Sequence, residues 1–523
     1  MIKSLFTALL FLLVLSCGQV KRYNKIIARQ HSVKQLHSDV DNAFNQLKKH
    51  HPKLYQYIPK DSLNFKIDSL KQTLVKPLNS KSFYKKIAPV LASVRQGHIS
   101  ISAANKRFTK KELKRIKKKK FEFYDLDFSY VNNTLWVTGT RGKDSACVGS
   151  QVIKIEQDSI NKLVKAYKKR FSSDGFNTTL HNNAVGKYFT QMYYKDKGFV
   201  NQLNITLKKR DSVYTKLFKR IPKKDLKKDK VNKGKSNKAI SKTNKPLNKQ
   251  KKKAFKKKKR RQGYLAKTKQ FTRNFTFIGK DSTVAYMKIR SFTNGKFRAF
   301  YKSSFKQIEN KNCKNLILDL RNNGGGRVAE IDYLYSFLSN KPYQFTKNAQ
   351  VTSRLPVYKS IMSTTTHVGL KALSVIFAPA IITHNLIKTY KQDDVIYYKL
   401  KYSKVKRAKQ SRFKGRIYVL INGNSFSASS LISTNLQATH RAVFVGEETG
   451  GAYNGCVAGI YKYYNLPNTK LKMRFGLMQI ETPYTQFPDG YGIKPNRLIK
   501  PTIKDNLLKK DSGIDWVLND IYK

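Results

Sequence analysis

The chain has 523 residues, 40% of them hydrophobic and 12% aromatic, so it can bury a sizeable core spread over two or three domains. This composition excludes a wholly disordered chain. The formal net charge of +75 predicts attraction to anionic surfaces such as acidic lipids, nucleic acid or cell-envelope polymers, but it does not determine the fold.

The N-terminus has the pattern of an export signal. A basic start precedes an apolar run, Leu5–Leu15, which is too short for the roughly 20 residues that span a bilayer. The stretch Val14–Cys17 resembles the lipobox of bacterial lipoproteins. We therefore expect residues 1–17 to be a signal peptide, Cys17 to carry lipid, and the protein to lie in the cell envelope, at the periplasmic or outer surface. An ordinary secretory signal cut nearby is the alternative.

The remaining cysteines give little information about the fold. They are Cys147, Cys313 and Cys456. An odd number without a CxxC pair argues against a zinc ribbon or a disulfide scaffold, although one bridge among them is compatible with the sequence.

Two regions follow the signal. Residues 18–120 begin with a polar tether and continue with apolar residues at helical spacing, interrupted at Pro52, which predicts several short helices. Residues 121–221 have short β-like runs and one helical stretch near 159–170. The order of these elements resembles a PDZ-like peptide-binding module, and a generic small β-rich domain fits equally well.

The stretch 222–262 is strongly basic. It holds 20 Lys or Arg and two acidic residues. Such a run cannot bury a core, so we expect a disordered insertion. It is suited to anionic lipid, lipopolysaccharide or nucleic acid. The alternative is a solvated insertion without a dedicated partner.

From residue 263 to 523 the chain reads as α/β. Near-continuous apolar runs of this length are typical of strands buried on both faces, and their alternation with helices predicts a sheet with crossover connections. The predicted elements are the strands Val284–Arg290, Asn315–Leu320, Arg416–Ile421 and Ala442–Val445, and the helix Phe297–Asn310. The insertion at about 340–410 has no clear pattern.

The first chemical motif follows the strand Asn315–Leu320. The strand runs through a polar turn into Gly324–Gly326. Glycines let the backbone approach a ligand closely, and such a turn can direct N–H groups at an anion, including the oxyanion of acyl transfer. A phosphate cradle and a plain helix N-terminus are alternatives, although the Lys-Ser/Thr ending of a P-loop is missing.

The second motif follows the strand Ile417–Ile421. A tight polar turn leads to Ser427 and then into a helix. A serine at such a junction is presented on a sharp bend, near the helix N-terminus, as a nucleophile requires. Alternatively, these serines only cap the helix, and Ser425 or Ser430 fits that role. A third strand, Arg441–Val445, ends in another glycine turn.

In this order, the three motifs resemble the tail-specific (C-terminal-processing) serine protease family, which includes the tricorn core protease. The resemblance covers roughly residues 271–515. It implies a ClpP/crotonase-like α/β core, Ser427 as the nucleophile, and no metal or organic cofactor. It also implies an oxyanion hole formed by the backbone N–H groups of Ala428 and, in the glycine turn, Gly325.

The family uses two kinds of general base. One branch has a lysine in the third motif, where this chain has Ala452, and no lysine occurs between Ser427 and Lys462. We therefore reject a Ser-Lys dyad. The tricorn-like branch takes a histidine from a Gly-His or Ser-His step, which here is His98. Its unperturbed pKa of about 6.5 suits a base near neutral pH. A structural histidine is the alternative.

The resemblance also implies a carboxylate that orients the imidazole, and it falls on Asp489. Glu481 is a second candidate, and Asp489 could instead simply begin a turn with Gly490. Position 97 is glycine where tricorn has a helper serine. Because His98 lies far upstream of Ser427, we expect catalytic competence to depend on docking of the two regions.

The sequence thus predicts an exported serine endopeptidase that cleaves envelope or secreted proteins through an acyl-enzyme, with a PDZ-like groove that captures free C-termini. One alternative is a non-catalytic peptide- or lipid-binding protein on the same fold. Another is a binder of nucleic acid or envelope polymers through residues 222–262. Export argues against nucleic acid as a specific ligand.

Overall fold

The computed structural model describes residues 18–223, 249–266 and 268–523. Cys17 and the predicted signal peptide lie outside the described residues, and so do residues 224–248 of the basic stretch. The described chain is mixed α/β and contains a helical N-terminal segment, an antiparallel module and a core with a largely parallel sheet.

The N-terminal segment is helical, as predicted. Ser32 and Gln35 form a capping box at the start of the second helix, and the helix ends two residues before Pro52, which cannot continue it. The helices are α1 (18–28), α2 (Val33–His50), α3 (Lys60–Gln72) and α4 (Ser80–Ala92). After α4 the chain passes through His98 into the short strand β1 (Ser100–Ser102).

Strand β1 joins this segment to the C-terminal part of the chain. It pairs antiparallel with a strand of the core, Lys472–Ile480, with Ser100 opposite Arg474. The apolar faces of the helices share one buried cluster with Leu466, Met473 and Phe475. The segment that carries His98 is therefore packed onto the core rather than tethered beside it.

The module between residues 119 and 222 is an antiparallel sheet with two helices. Its strand order is β2-β8-β7-β5-β4-β3, with β6 beside β5. After helix α5 (Lys110–Lys117), its elements are β2 (Lys119–Phe121), β3 (Leu126–Val131), β4 (Thr134–Thr140), β5 (Gln151–Ile155), β6 (Asp158–Ser159), α6 (Ile160–Lys168), α7 (Thr179–Lys197), β7 (Gln202–Lys209) and β8 (Ser212–Pro222). The predicted strands and helix are present, and the PDZ-like identity stays a prediction.

The expectation of disorder over 222–262 is wrong for its last third. Residues Lys249–Gln262 form helix α8. The Phe255 ring packs edge-on against Tyr264 and Phe271, and Lys259 lies over the rings of Phe255 and Tyr264. One aromatic anchor thus gives a strongly basic segment enough contact to order it, which charge counting does not detect.

The core contains the predicted parallel sheet, in the order β11-β12-β13-β17-β18-β21, with only the β11–β12 pair antiparallel. Short strands β9 (Tyr264–Leu265) and β10 (Gln270–Phe271) precede it. Its elements are β11 (Arg273–Ile278), β12 (Val284–Ile289), α9 (Phe297–Asn310), β13 (Asn315–Asp319), α10 (Val328–Tyr335), β17 (Arg416–Ile421), α14 (Ala428–Ala438), β18 (Val443–Gly446), β21 (Arg497–Leu498), α15 (Ile503–Leu508) and α16 (Ser512–Ile521). The predicted strands and helix lie within two residues of the observed bounds.

A second core sheet, in the order β1-β20-β14-β16-β15 with β19 beside β20, covers the site. Three of its strands come from the insertion that had no clear sequence pattern. The strands are β14 (Ala349–Val351), β15 (Thr389–Gln392), β16 (Val395–Tyr398), β19 (Cys456–Asn465) and β20 (Lys472–Ile480). Between β14 and β15 lie the helices α11 (Pro356–Ile361), α12 (Val368–Ile376) and α13 (Ala378–Lys388).

Candidate active site

Ser427 lies on a strained turn between a buried strand and a helix. Strand β17 ends at Ile421, helix α14 begins at Ala428, and Ser427 has φ +59° and ψ −119°. A non-glycine residue with positive φ is costly and must be held by its surroundings. The Ser425 hydroxyl helps to hold the turn, since it donates to the Leu320 carbonyl, 2.9 Å away. This strand–turn–helix arrangement projects the Ser427 hydroxyl away from the turn, as in a nucleophile elbow.

Two side chains contact the Ser427 hydroxyl. His98 Nε2 lies 3.1 Å from Ser427 Oγ. The Cys456 side chain also hydrogen-bonds to Ser427, and burial raises the pKa of the Cys456 thiol well above its usual range, so that it remains a neutral thiol. The serine and histidine predicted from distant parts of the sequence thus meet.

The imidazole of His98 is held neutral. Burial lowers the pKa of His98 to about 3, and the nearby positive charge of Arg474 acts in the same direction. The ring lies edge-on to Phe426 and Tyr461, with centroids 5.1 and 5.8 Å away. A neutral imidazole beside a hydroxyl can accept its proton without first losing one.

The structure corrects the partner predicted for His98. The Asp489 carboxylate accepts from Gln56 Nε2 at 2.8 Å and from the Tyr57 hydroxyl at 3.5 Å. The Tyr461 hydroxyl instead lies 3.4 Å from His98 Nδ1. Asp489 contacts the loop between helices α2 and α3, so the resemblance placed it near the histidine region but not on the imidazole.

The second candidate, Glu481, does not contact His98 either. Its carboxylate accepts from Gln479 Nε2 at 3.1 Å. Tyr461 was missed because β19 carries no recognisable motif at that position. Asp489 nevertheless holds the histidine loop indirectly, since Gln56 accepts a hydrogen bond from Gln96 Nε2, two residues before His98.

Asp174 is a second residue that sequence reasoning missed. Its buried carboxylate accepts from the Gly97 N–H at 2.7 Å through Oδ1, and Oδ2 has no hydrogen-bond partner among the described residues. Burial raises the pKa of Asp174 to about 7, against the opposing effect of the Gly97 N–H group. No local pattern in the sequence marks Asp174, because it lies in a turn of the module that is far along the chain from all three motifs.

The turn that contains Asp174 docks between the two regions that supply serine and histidine. On the histidine side, the Gly175 N–H donates to the Arg95 carbonyl at 2.8 Å. On the core side, the Phe176 N–H donates to the Gly490 carbonyl at 2.7 Å, and Asn177 Nδ2 donates to the Gly450 carbonyl at 3.1 Å. Residues 172–178 therefore link the module, the His98 loop and the core at one point.

Packing explains why position 97 is a glycine. A Cβ there would touch the ring of Phe426, the neighbour of Ser427, and the carboxylate of Asp174. The His98 loop therefore approaches the nucleophile turn more closely than any side chain at position 97 allows.

The glycine turn differs from expectation in one respect. The Gly325 N–H, predicted to bind an oxyanion, donates to Asn323 Oδ1 at 2.9 Å. Gly325 has φ +98°, and a Cβ there would lie 2.8 Å from Ser427 Cβ, so this glycine provides close approach. No hydrogen bond among the described residues uses the N–H of Ala428 or of exposed Gly324, and these two remain available to an anion.

Two charged residues of the first motif hold the turn. The buried Asp319 carboxylate accepts from Arg321 and from Lys288 Nζ, and these cations hold the pKa of Asp319 well below its usual range. Arg321 also binds Asp511 of the last helix cap, with both distances 2.7 Å. The motif thus fixes the glycine turn through a buried ion network.

Ala452 stands at the position of the lysine base in the Ser-Lys branch, and its side chain is buried. Lys462 Nζ lies 3.0 Å from His50 Nε2 instead. Within residues 18–223, 249–266 and 268–523 no group of three His, Cys, Asp or Glu side chains is arranged to hold a metal ion, and the three cysteines are free and buried.

Comparisons with known proteins agree with this fold. Residues 283–499 match the profile of peptidase family S41. Three solved structures of CPAF are similar in fold: a mutant form has a TM-score of 0.60 at 13% identity, covering 94% of this chain and 96% of that one. Mature CPAF complexed with lactacystin has a TM-score of 0.58 at 14% identity, covering 94% of this chain and 97% of that one. Mature CPAF has a TM-score of 0.57 at 13% identity, covering 94% of this chain and 96% of that one. No curated protein matches the chain significantly.

The α/β core and the strand–turn–helix serine therefore define a serine-type peptidase. The match to peptidase family S41 covers residues 283–499, and it agrees with the resemblance of the three motifs to the tail-specific proteases.

Proposed function

We propose that the protein is an exported serine endopeptidase that cleaves polypeptides of the cell envelope through an acyl-enzyme on Ser427, with His98 as general base. The single observation that carries this proposal is the 3.1 Å separation of His98 Nε2 and Ser427 Oγ. It is a hydrogen-bond distance within the range required for proton transfer from a nucleophile.

In the first half-reaction His98 Nε2 takes the proton of the Ser427 hydroxyl while Oγ attacks the scissile carbonyl carbon. The imidazolium then gives that proton to the departing amine, and the acyl-enzyme forms. In the second half-reaction a water molecule loses its proton to His98, attacks the ester, and releases the acid while the proton returns to Ser427.

The developing oxyanion is bound by the Ala428 N–H, at the start of helix α14, and by the Gly324 N–H. The absence of hydrogen bonds to both groups among the described residues supports this assignment. Loss of one such donor typically costs about 100- to 1,000-fold in rate.

Tyr461 and Asp174 act as positioning residues. The Tyr461 hydroxyl fixes the ring through Nδ1, and Asp174 fixes the preceding Gly97 N–H. Neither needs to touch the substrate. This arrangement replaces the carboxylate–imidazole hydrogen bond of a Ser-His-Asp triad.

Export and lipid attachment rest on the sequence of residues 1–17, whose apolar run and Cys17 resemble a lipoprotein signal. Attachment there places the peptidase beside envelope proteins, which are the substrate class we propose. A PDZ-like role of the module would favour substrates with free C-termini.

The test is cleavage of an unfolded polypeptide such as reduced casein, followed by mass spectrometry. Ser427→Ala should abolish cleavage. Ser430→Ala is the matched control, because Ser430 is a buried serine of helix α14 and its hydroxyl has no hydrogen-bond partner among the described residues. Equal cleavage by both variants would refute the assignment of Ser427.

A further inference from the structure

One helix pair of the core region buries polar side chains and exposes apolar ones. In α12 and α13 the buried side chains are Ser374 and Asn385, whereas the large apolar side chains point outward. Val368 is 78% exposed, Ile376 71% and Ile387 66%. The other exposed apolar residues of this pair are Leu370, Leu373, Val375, Phe377 and Leu386. We call residues 368–388 the apolar hairpin.

The inversion is built into the hairpin rather than produced by loose packing. Asn385 Oδ1 accepts from the Val357 N–H at 3.0 Å, which ties α13 to helix α11. The Ser374 hydroxyl donates to the Lys371 carbonyl at 2.7 Å. Asn385 therefore fastens the hairpin to the protein, Ser374 bonds within its own helix, and the large apolar side chains are left exposed in the described structure.

A helix pair that exposes this many large apolar side chains marks an interaction site on a protein surface. In the described ranges, no single helix is long and apolar enough to cross a membrane, but α12 and α13 together meet that test although they are bent by 74°. A bent apolar pair of this length is suited to lying in a membrane interface with its apolar side chains in the acyl region.

The charges around the hairpin indicate the kind of surface. Residues 368–388 contain two lysines and no acidic residue. From Arg354 to Lys404 there are eight Lys or Arg and two acidic residues, and one of those, Asp394, pairs with Lys391. Basic residues flanking an apolar face bind anionic headgroups. A second copy of this chain would bring like charges together.

We infer that the apolar hairpin docks this protein onto the surface of a membrane rich in anionic lipid. This inference does not depend on lipidation at Cys17 or on peptidase activity. It has a consequence for the site, because the Ser360 hydroxyl of helix α11 donates to the Tyr461 carbonyl at 2.6 Å. Helix α11, which Asn385 ties to the apolar hairpin, thus lies against the strand that contacts His98.

The experiment places a tryptophan on the hairpin in the full chain, as Phe377→Trp, and a matched tryptophan elsewhere, as Val213→Trp. Phe377 is 59% exposed and Val213, on the module, is 60% exposed, so neither change disturbs a core. Vesicles contain either phosphatidylglycerol with phosphatidylcholine or phosphatidylcholine alone, with brominated acyl chains as the quencher. Emission is read relative to the unsubstituted chain.

With anionic vesicles, the Phe377→Trp signal should shift to the blue and lose about half its intensity or more, and the effect should weaken in high salt. The Val213→Trp signal should stay unchanged. The inference would be overturned if Phe377→Trp were not quenched, or if neutral vesicles quenched it equally. A blue shift with rising protein concentration and no vesicles would also overturn it, because that result would identify a second copy of the chain as the partner. Because the readout is local, binding through residues 1–17 alone leaves Phe377→Trp unquenched and counts against the inference.

Discussion

His98 Nε2 lies 3.1 Å from Ser427 Oγ although 329 residues separate them in the chain. Two sets of contacts hold the two atoms at this distance. Strand β1 pairs with β20, which fixes the chain just after His98, and residues 172–178 of the module fix the chain just before it. The active site is therefore assembled from three parts of the chain, and its geometry depends on their docking.

The docking turn can be tested at Gly175. This residue has φ +75°, and a Cβ there would overlap the carbonyl and Cα of Gly490. Gly175→Ala should push the turn off the core, and a shift of about 1 Å in the His98 loop typically costs about 100-fold in rate. The measurement is the rate of peptide cleavage, with folding checked by circular dichroism.

Gly149→Ala is the matched control for that variant. Gly149 lies in the same module with φ +88°, so alanine brings a comparable backbone strain of about 1 to 3 kcal/mol. The nearest atom to its Cβ, however, is Leu507 Cδ1 at 4.0 Å. Its cleavage rate should stay within about twofold of the wild type. Equal losses in both variants would show that strain, not docking, is responsible.

The partner of His98 can be distinguished by two conservative changes. Tyr461→Phe removes the hydroxyl 3.4 Å from Nδ1 and should lower kcat by about 3- to 10-fold with KM unchanged, the effect of one hydrogen bond. Tyr463→Phe, two residues along the same strand, should have no such effect. If Asp489→Asn lowers kcat more than Tyr461→Phe does, the carboxylate predicted from the sequence is the orienting group after all.

Asp174 predicts an unusual pH dependence of stability. Burial raises the pKa of Asp174 to about 7, whereas an unfolded chain releases this proton near 4. Stability from this group is therefore full at low pH, falls as the pH rises from about 4 to about 7, and then levels off, with a total effect of at most about 4 kcal/mol.

Asp174→Asn should remove that dependence. The free energies of unfolding of the wild type and of Asp174→Asn should be compared in urea between about pH 4 and pH 8. The difference between them should shift in favour of the variant as the pH rises. Parallel curves for the two proteins would mean that Asp174 is not buried as a neutral acid.

His98 should not titrate in the neutral range. Because burial lowers the pKa of His98 to about 3, the imidazole is already neutral at pH 5, and labelling of Ser427 by a fluorophosphonate should proceed nearly as fast there as at pH 7. An unperturbed histidine would slow it about 25-fold. The series should be repeated in Asp174→Asn, so that ionisation of Asp174 near pH 7 does not obscure the result.

Elements with a local signal were predictable from the sequence. Strands β13 and β17 are continuous apolar runs that end in glycine or serine turns. His98 was implied by the resemblance to the tail-specific proteases, through its Gly-His step and the absence of a lysine at position 452. These patterns report residues whose role is fixed by their immediate neighbours.

The rest depended on tertiary contacts. Asp174 reaches the site only because the module docks, and Tyr461 only because β19 crosses beside His98. Asn323 takes the Gly325 N–H through a side chain that could equally have pointed elsewhere. The ordered helix α8 depends on Phe255 meeting two rings from the following strands. None of these contacts can be predicted from a periodicity or a motif spacing in the sequence.

The most direct test of the central claim is active-site labelling with a fluorophosphonate, located by mass spectrometry. The wild type should be labelled at Ser427, Ser427→Ala should not be labelled, and His98→Ala should be labelled at least about 100-fold more slowly while remaining folded, because the base is lost. Labelling of His98→Ala at the wild-type rate, or labelling of the wild type at another serine, would contradict a Ser427–His98 peptidase.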